Sequence, residues 1–252
     1  MTRLLVTNDD GIDSPGLHAL ALALQGRGLD VTIAAPVTQS SGSSASIMAE
    51  NADGRIRVDK RTLDGLEEIP AFAVHGGPGL IALIAARGAF GDPSDLVASG
   101  VNHGANVGRA ILHSGTVGAA LTGGLNGAWG MAVSLDVGLD PTTFHWAAAA
   151  DAAADLVPAL LQHPRGTVIN VNVPNASEFR GVVEAELAPF GIVQTTLTQQ
   201  DEHDVRLAVE DLPRDPAPGS DAAHLAAGWI TVSGLDPVSH VPLGIVADAR
   251  AS

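Results

Sequence analysis

Between residues 4 and 35 the chain runs through an apolar stretch, a polar turn, a Leu/Ala stretch of helical spacing and a second apolar stretch. Residues 4–7 (LLVT) are short, continuous in their apolarity and partly β-branched, which is the pattern of a strand buried on both faces. Ser14 stands where a helix N-cap belongs and Pro15 where a first helical residue belongs. Residues 16–25 carry the helical spacing, 26–28 end it at two glycines, and 31–35 form a second buried strand. A strand, a crossover helix and a second buried strand open a doubly wound α/β sheet, with helices on both faces of mostly parallel strands.

The pattern continues along the chain. Residues 56–61 alternate as an exposed strand, one arm of a hairpin, and 71–74 and 96–99 read as strands. Residues 79–86, 116–128 and 142–161 read as helices, the second so rich in Gly and Ala that it must pack closely on the sheet. Residues 131–135 and 167–173 add two more strands. Beyond Pro174 the composition shifts: 182–187 and 192–197 read as an antiparallel pair joined at Phe190-Gly191, 211–221 as a Pro- and Asp-rich loop, and 229–233 as a late strand. The expected division is a catalytic α/β core over 1–175 and a β-rich extension over 176–252, suited to assembly as an exchanged arm.

Composition excludes several classes of partner. Asp and Glu number 28 against 13 Lys and Arg, a formal charge of −15, and Lys60 is the only lysine. Such a surface repels nucleic-acid polymers and anionic membranes, leaving a small anionic substrate only where a local cation reverses the field. There is no cysteine, hence no disulfide and no thiolate chemistry. No signal-peptide pattern and no apolar stretch long enough for a bilayer is evident, so the expected location is cytoplasmic.

The chemistry gathers in three polar loops that follow apolar strands: 8–14, 39–46 and 102–116. In an open α/β sheet such loops share the carboxyl edge where ligands bind. Asp9 and Asp10 are adjacent just past a strand end, and two close carboxylates repel unless a cation lies between them. Oxygen donors of that kind suit Mg²⁺ or Mn²⁺. Ser40, Ser41, Ser43 and Ser44 offer hydroxyls, Asn102 and Asn106 offer amides, and Ser114-Gly115-Thr116 opens a helix whose N-terminus can receive an anion. His103 and His113 are candidate acid/base groups. A P-loop, a dinucleotide fingerprint after the first strand and a Gly-x-Ser-x-Gly nucleophile elbow are all missing.

Taken together, the pieces Leu5-Val6-Thr7-Asn8-Asp9-Asp10-Gly11-Ile12, Ala35-Pro36 with Ser41-Gly42, Ser99-Gly100-Val101-Asn102 with Gly104-Ala105-Asn106-Val107-Gly108, Ser114-Gly115-Thr116-Val117-Gly118-Ala119-Ala120 and Asn170-Val171-Asn172-Val173-Pro174 resemble the SurE family of nucleotidases. The resemblance implies a Rossmann-like three-layer core with a β-rich C-terminal extension and assembly as a homodimer or homotetramer. It implies a metal-dependent phosphomonoesterase that hydrolyses nucleoside 5′- and 3′-monophosphates with one divalent ion, Mg²⁺ or Mn²⁺, per subunit. By the same resemblance Asp9, Asp10, Ser41 and Asn102 are the expected metal ligands, and Asp9, Asp10 and Asn102 the catalytic residues. Asn8, Asn106, Ser114, Gly115 and Thr116 are the expected phosphate contacts. Val37-Thr38-Gln39 and Gly76-Gly77-Pro78-Gly79-Leu80 depart from the family pattern while sparing those ligands. The departures motivate the alternative of a nucleotide- or phosphate-binding protein with weak or lost turnover.

Overall fold

A computed structural model describes residues 1–47, 55–138, 141–189, 193–200, 205–211, 216–236 and 238–240, with 193–200 and 205–211 as backbone alone. The opening unit is as expected: β1 (Arg3–Thr7), α1 (Pro15–Gly26) and β2 (Asp30–Pro36). Ser14 caps α1 by accepting the Leu17 N–H, and Pro15 follows it, as the spacing anticipates. Then come β3 (Val58–Arg61), β4 (Ala71–Val74), α2 (Pro78–Ala85), β5 (Leu96–His103), a 3₁₀ segment (Gly108–His113), α3 (Gly115–Leu125), β6 (Trp129–Asp136), α4 (Trp146–Leu160) and β7 (Val168–Pro174). β8 (Val182–Glu184), β9 (Val193–Gln200), β10 (Val205–Asp211), α5 (Asp221–Ala226) and β11 (Ile230–Leu235) complete the chain.

The main sheet has nine strands in the order β3-β4-β2-β1-β5-β6-β7-β11-β8. Its centre is parallel throughout, with β3 antiparallel on β4 and β11 antiparallel on β7. Leu4, Val6, Ile33, Ala98 and Val133 point to one face, where Leu17, Leu20 and Leu24 of α1 and Ala149, Ala153 and Val157 of α4 cover them. Leu5, Ala34 and Val97 point to the other face and meet Ile81 and Ala82 of α2 and Ala119 of α3. Three layers result, because each central strand is apolar on both faces.

From β1 the chain winds outward through β2 and β4, then returns to the other side of β1 and winds through β5, β6 and β7. The sense of winding therefore reverses between β1 and β5, whose last paired residues are Thr7 and Ser99. That reversal opens a crevice at the carboxyl ends of these strands, where ligands of doubly wound sheets bind. α1 reaches down to this crevice through Gly16: a Cβ there would stand 2.0 Å from the Val101 carbonyl oxygen of β5.

Several expected elements differ. β8 does not pair with the strand after it. It pairs in parallel with β11, and β9 pairs antiparallel with β10 as a two-stranded ribbon outside the main sheet. The late strand β11 is inserted between β7 and β8, so the chain beyond 175 re-enters the sheet. Apolar alternation marks a strand but not its partner, so the observed pairing differs from the expected one. The Phe190-Gly191 turn lies outside the described residues, as does 212–215 of the expected Pro-rich loop. Helix α4 starts at Trp146 rather than at 142, because Asn175 ties down the preceding turn: its Oδ1 accepts the His145 N–H at 2.9 Å and its Nδ2 donates to the Thr143 carbonyl at 2.8 Å.

Gly16→Ala is expected to lower the urea midpoint, costing about 2–4 kcal/mol, since backbone rather than a movable side chain blocks the new methyl. Gly26→Ala, at the other end of the same helix with nothing within 4 Å, should stabilise by about 0.5–1 kcal/mol. Equal midpoints for the two variants would contradict this packing.

Candidate active site at the β1–β5 crevice

Asn8 follows β1 directly and is fully buried. Its Nδ2 donates to the Gly11 carbonyl at 3.0 Å and to Ser14 Oγ at 2.7 Å, while its Oδ1 accepts the Gly11 N–H at 3.2 Å. Both amide hydrogens are thus spent on the turn that leads into α1. A buried side chain with its donors consumed locally fixes the loop. What it fixes is the direction of the next two residues.

Asp9 is buried, at 4% exposure. Its Oδ1 accepts a short hydrogen bond from the Thr116 hydroxyl, in the first turn of α3. Gly115 makes room for this carboxylate, because a Cβ there would lie 2.8 Å from Asp9 Oδ2 and 2.7 Å from Ser43 Oγ. Thr116 and Gly115 were expected at the phosphate. Their side-chain positions serve Asp9, so Thr116 is a positioning residue for that carboxylate. Asp10 is half-buried, and its Oδ2 accepts the His103 backbone N–H at 3.1 Å. Burial pushes the Asp9 carboxyl above the ordinary carboxylate range; the Thr116 hydrogen bond opposes this and the neighbouring Asp10 charge adds to it. Burial likewise raises Asp10, against the His103 backbone N–H and the His103 charge, which lower it.

The Ser loop is packed against α2 and α3. Gly118 of α3 lets the Ser44 carbonyl approach, since a Cβ would stand 2.4 Å from its oxygen, and Gly79 of α2 does the same for Ala45 at 2.9 Å. Ser44 Oγ donates to the Leu112 carbonyl at 2.7 Å, and the Ser40 N–H donates to the Asp9 carbonyl at 2.8 Å. Ser40 Oγ and Ser43 Oγ are buried with no hydrogen-bond partner. Ser41 is exposed and accepts from Gln39 Nε2 at 3.0 Å, the same nitrogen lying 3.5 Å from Asp10 Oδ1.

On the β5 side, Asn102 Nδ2 donates to the Gly104 carbonyl at 2.7 Å, which leaves its Oδ1 as the free acceptor. Asn106 is gripped from the ends of β6 and β7. Its N–H donates to Asn172 Oδ1, its carbonyl accepts from Nδ2 of both Asn170 and Asn172, and its Nδ2 donates to Ser134 Oγ, each at 2.8 Å. Ser134, Asn170 and Asn172 are buried and hold a loop that the sequence marked only through Asn106. Asp221 was missed altogether. This fully buried carboxylate at the start of α5 accepts the backbone N–H groups of Gly108, Ala188 and Ala222, each at 2.8 Å. Ser114 caps α3 by accepting the Val117 N–H at 3.1 Å and keeps its own hydroxyl hydrogen. Of the two histidines, His113 ends the exposed 3₁₀ segment and His103 packs its ring on Phe144.

Among the described residues no three His, Cys, Asp or Glu side chains gather to hold a metal. A cation here would meet two carboxylates and otherwise neutral oxygens, donors of the kind that suit a hard ion such as Mg²⁺ or Mn²⁺. The unpartnered Ser40 and Ser43 hydroxyls beside Asp9 fit the same reading, since buried hydroxyls without partners are costly unless something binds them.

The family model described as "Survival protein SurE" matches residues 4–201. A protein of Methanopyrus kandleri named 5′-nucleotidase SurE is 35% identical over 92% of this chain and 90% of its own length. One of the same name from Symbiobacterium thermophilum is 41% identical over 69% of this chain and 66% of its own, just under two thirds of that relative. The crystal structure titled as the SurE protein from Aquifex aeolicus superposes with a TM-score of 0.75 at 26% identity, covering 94% of both chains.

Because burial raises Asp9 in the folded chain, its ionised form costs stability. The stability that Asp9 contributes is complete below the ordinary carboxylate pKa and is lost as pH rises through the raised one. In chelator, Asp9→Asn should therefore melt higher than the parent near about pH 7, with the gap closing near about pH 4, as followed by thermal melts across pH. A gap that widens toward acid would contradict the burial argument.

Proposed function

The chain belongs to the survival protein SurE family, and on that premise we propose that it is a 5′-nucleotidase: a metal-dependent phosphomonoesterase that hydrolyses nucleoside 5′-monophosphates, and 3′-monophosphates as well. One observation carries the reading. A carboxylate pair, Asp9 buried and Asp10 half-buried, stands at the winding reversal of the sheet, beside a capped helix N-terminus and unpartnered hydroxyls, and the sequence has no nucleophile elbow.

Asp9, Asp10, Ser41 Oγ and Asn102 Oδ1 would hold one Mg²⁺ or Mn²⁺ per subunit. When bound, that ion supplies a Lewis acid for the phosphate oxygens and lowers the pKa of a water. The protein's own groups supply the rest. Thr116 and the His103 N–H orient the Asp9 and Asp10 carboxyl groups. Ser114, the second hydrogen of Asn106 Nδ2 and the hydroxyls of Ser40 and Ser43 donate to phosphate oxygens, and the start of α3 adds its aligned N–H groups. The Asn170–Asn172 clamp fixes Asn106 before substrate arrives, so little reorganisation of that donor accompanies the change of charge.

The chain works as a homodimer or homotetramer. A two-stranded ribbon alone is marginal in water, so β9–β10 is the segment best suited to a partner subunit. No described helix is long and apolar enough to cross a membrane, and the substrate met in the cytoplasm is a small nucleotide rather than a polymer.

Release of phosphate from a panel of nucleoside monophosphates is expected with Mg²⁺ or Mn²⁺ and not with chelator. Asp9→Asn and Asp10→Asn should each lower it by about 100-fold or more. Undiminished turnover in both variants would overturn the assignment. Nucleotide binding without turnover in the parent would favour the binding-protein alternative that the Val37–Gln39 departure raises. Light scattering at micromolar concentration should give the mass of two or four chains, and a monomer would refute the assembly.

A further inference from the structure

The chain has only five Phe and three Trp residues and no Tyr, yet two of them stand together beside the carboxylates. The Phe144 and Trp146 rings stack at 5.4 Å with 13° between their planes. The His103 ring lies 5.3 Å from Phe144 and 6.1 Å from Trp146. His103 is also the residue whose backbone N–H binds Asp10, so a single residue separates the proposed metal site from an aromatic face. Phe144 remains 39% exposed, an unusual cost for a large ring.

This face is held rather than loose. Asn175 bonds the backbone on both sides of Phe144, at Thr143 and His145, and those bonds keep α4 from starting earlier and folding Phe144 into its first turn. Trp146 beneath it touches the α1 start, where a Cβ on Gly16 would meet the indole at 3.2 Å. A flat, partly exposed ring, one residue from the proposed metal site, matches a nucleoside monophosphate, whose base is joined to its phosphate through one sugar.

We propose that Phe144, backed by Trp146 and flanked by His103, is the platform on which the substrate's nucleobase stacks, so that it sets the preference for nucleotides over base-free phosphate esters. The proposal rests on the nucleotidase reading above and deepens it. Stacking needs only a π-face and is tolerant of base identity. The platform therefore selects for a base without choosing strongly among bases.

The test compares adenosine 5′-monophosphate with ribose 5-phosphate. In the parent, kcat/KM should favour the nucleotide. Phe144→Ala should reduce that ratio about tenfold, chiefly through KM of the nucleotide, and Phe144→Trp should retain it. A ratio unchanged in Phe144→Ala, or one not rescued by Trp, would overturn the proposal. If the parent cleaves neither ester, the nucleotidase reading fails on its own. The platform is then judged by equilibrium dialysis with adenosine, where about tenfold weaker binding by Phe144→Ala supports it and equal binding, or none by either protein, refutes it.

Discussion

Everything at the crevice depends on one buried contact, the Asp9 carboxylate against the first turn of α3. A carboxylate taken out of water is expensive, and here the Thr116 hydroxyl and the positive end of a helix offset only part of that cost. The contact also joins two elements distant in sequence. It requires glycine at 115, the first residue of α3, because any side chain there would strike Asp9 and Ser43. It orients the Ser loop, whose Ser40 N–H binds the Asp9 carbonyl. Asp10, one residue on, is then aimed at the end of β5. The sheet topology provides the crevice, but this contact decides which atoms face into it.

Around that centre the polar groups divide into those that hold and those left to bind. Asn8, Thr116, Asn172, Ser134 and the Nδ2 of Asn170 are directed at neighbours, while Asn170 Oδ1 is buried without a partner. Asn102 Oδ1 and the hydroxyls of Ser40, Ser43 and Ser114 are left over. A side-chain amide in a site is often read as a ligand. Here most of the amides are scaffolding, and the hydroxyls carry more of the free donor capacity.

Much of this was legible in the sequence. β1, α1 and β2 followed from an apolar run, a Ser-Pro cap and a second run, because local pattern and tertiary burial agree there. The three loops could be assigned to one edge, since in a parallel sheet the strand ends fix the edge. Other features were illegible for identifiable reasons. The role of Asn8 turns on three hydrogen bonds within its own turn, which no spacing reveals. The partner of β8 is β11, some fifty residues away, and alternation says nothing of distance. The Gly/Ala density of α3 did signal close packing, and Gly123 and Gly124 do lie against Val97 and Val168 of the sheet. Gly118, however, faces the Ser loop, so one stretch of small residues serves two surfaces. The aromatic face was invisible because His103 and Phe144 become neighbours only in the folded chain.

Asp221 adds a temporal dimension to this architecture. Its carboxylate, far along the chain, accepts the Gly108 N–H and so anchors the end of the loop that carries Asn106. On the ribosome both aspartates, the Ser loop and α3 emerge long before residue 221 does. Until then that loop lacks its anchor from α5, and α5 itself rests on β11, which is made later still. An unfinished or clipped polypeptide would thus carry the carboxylates without the fully braced cradle.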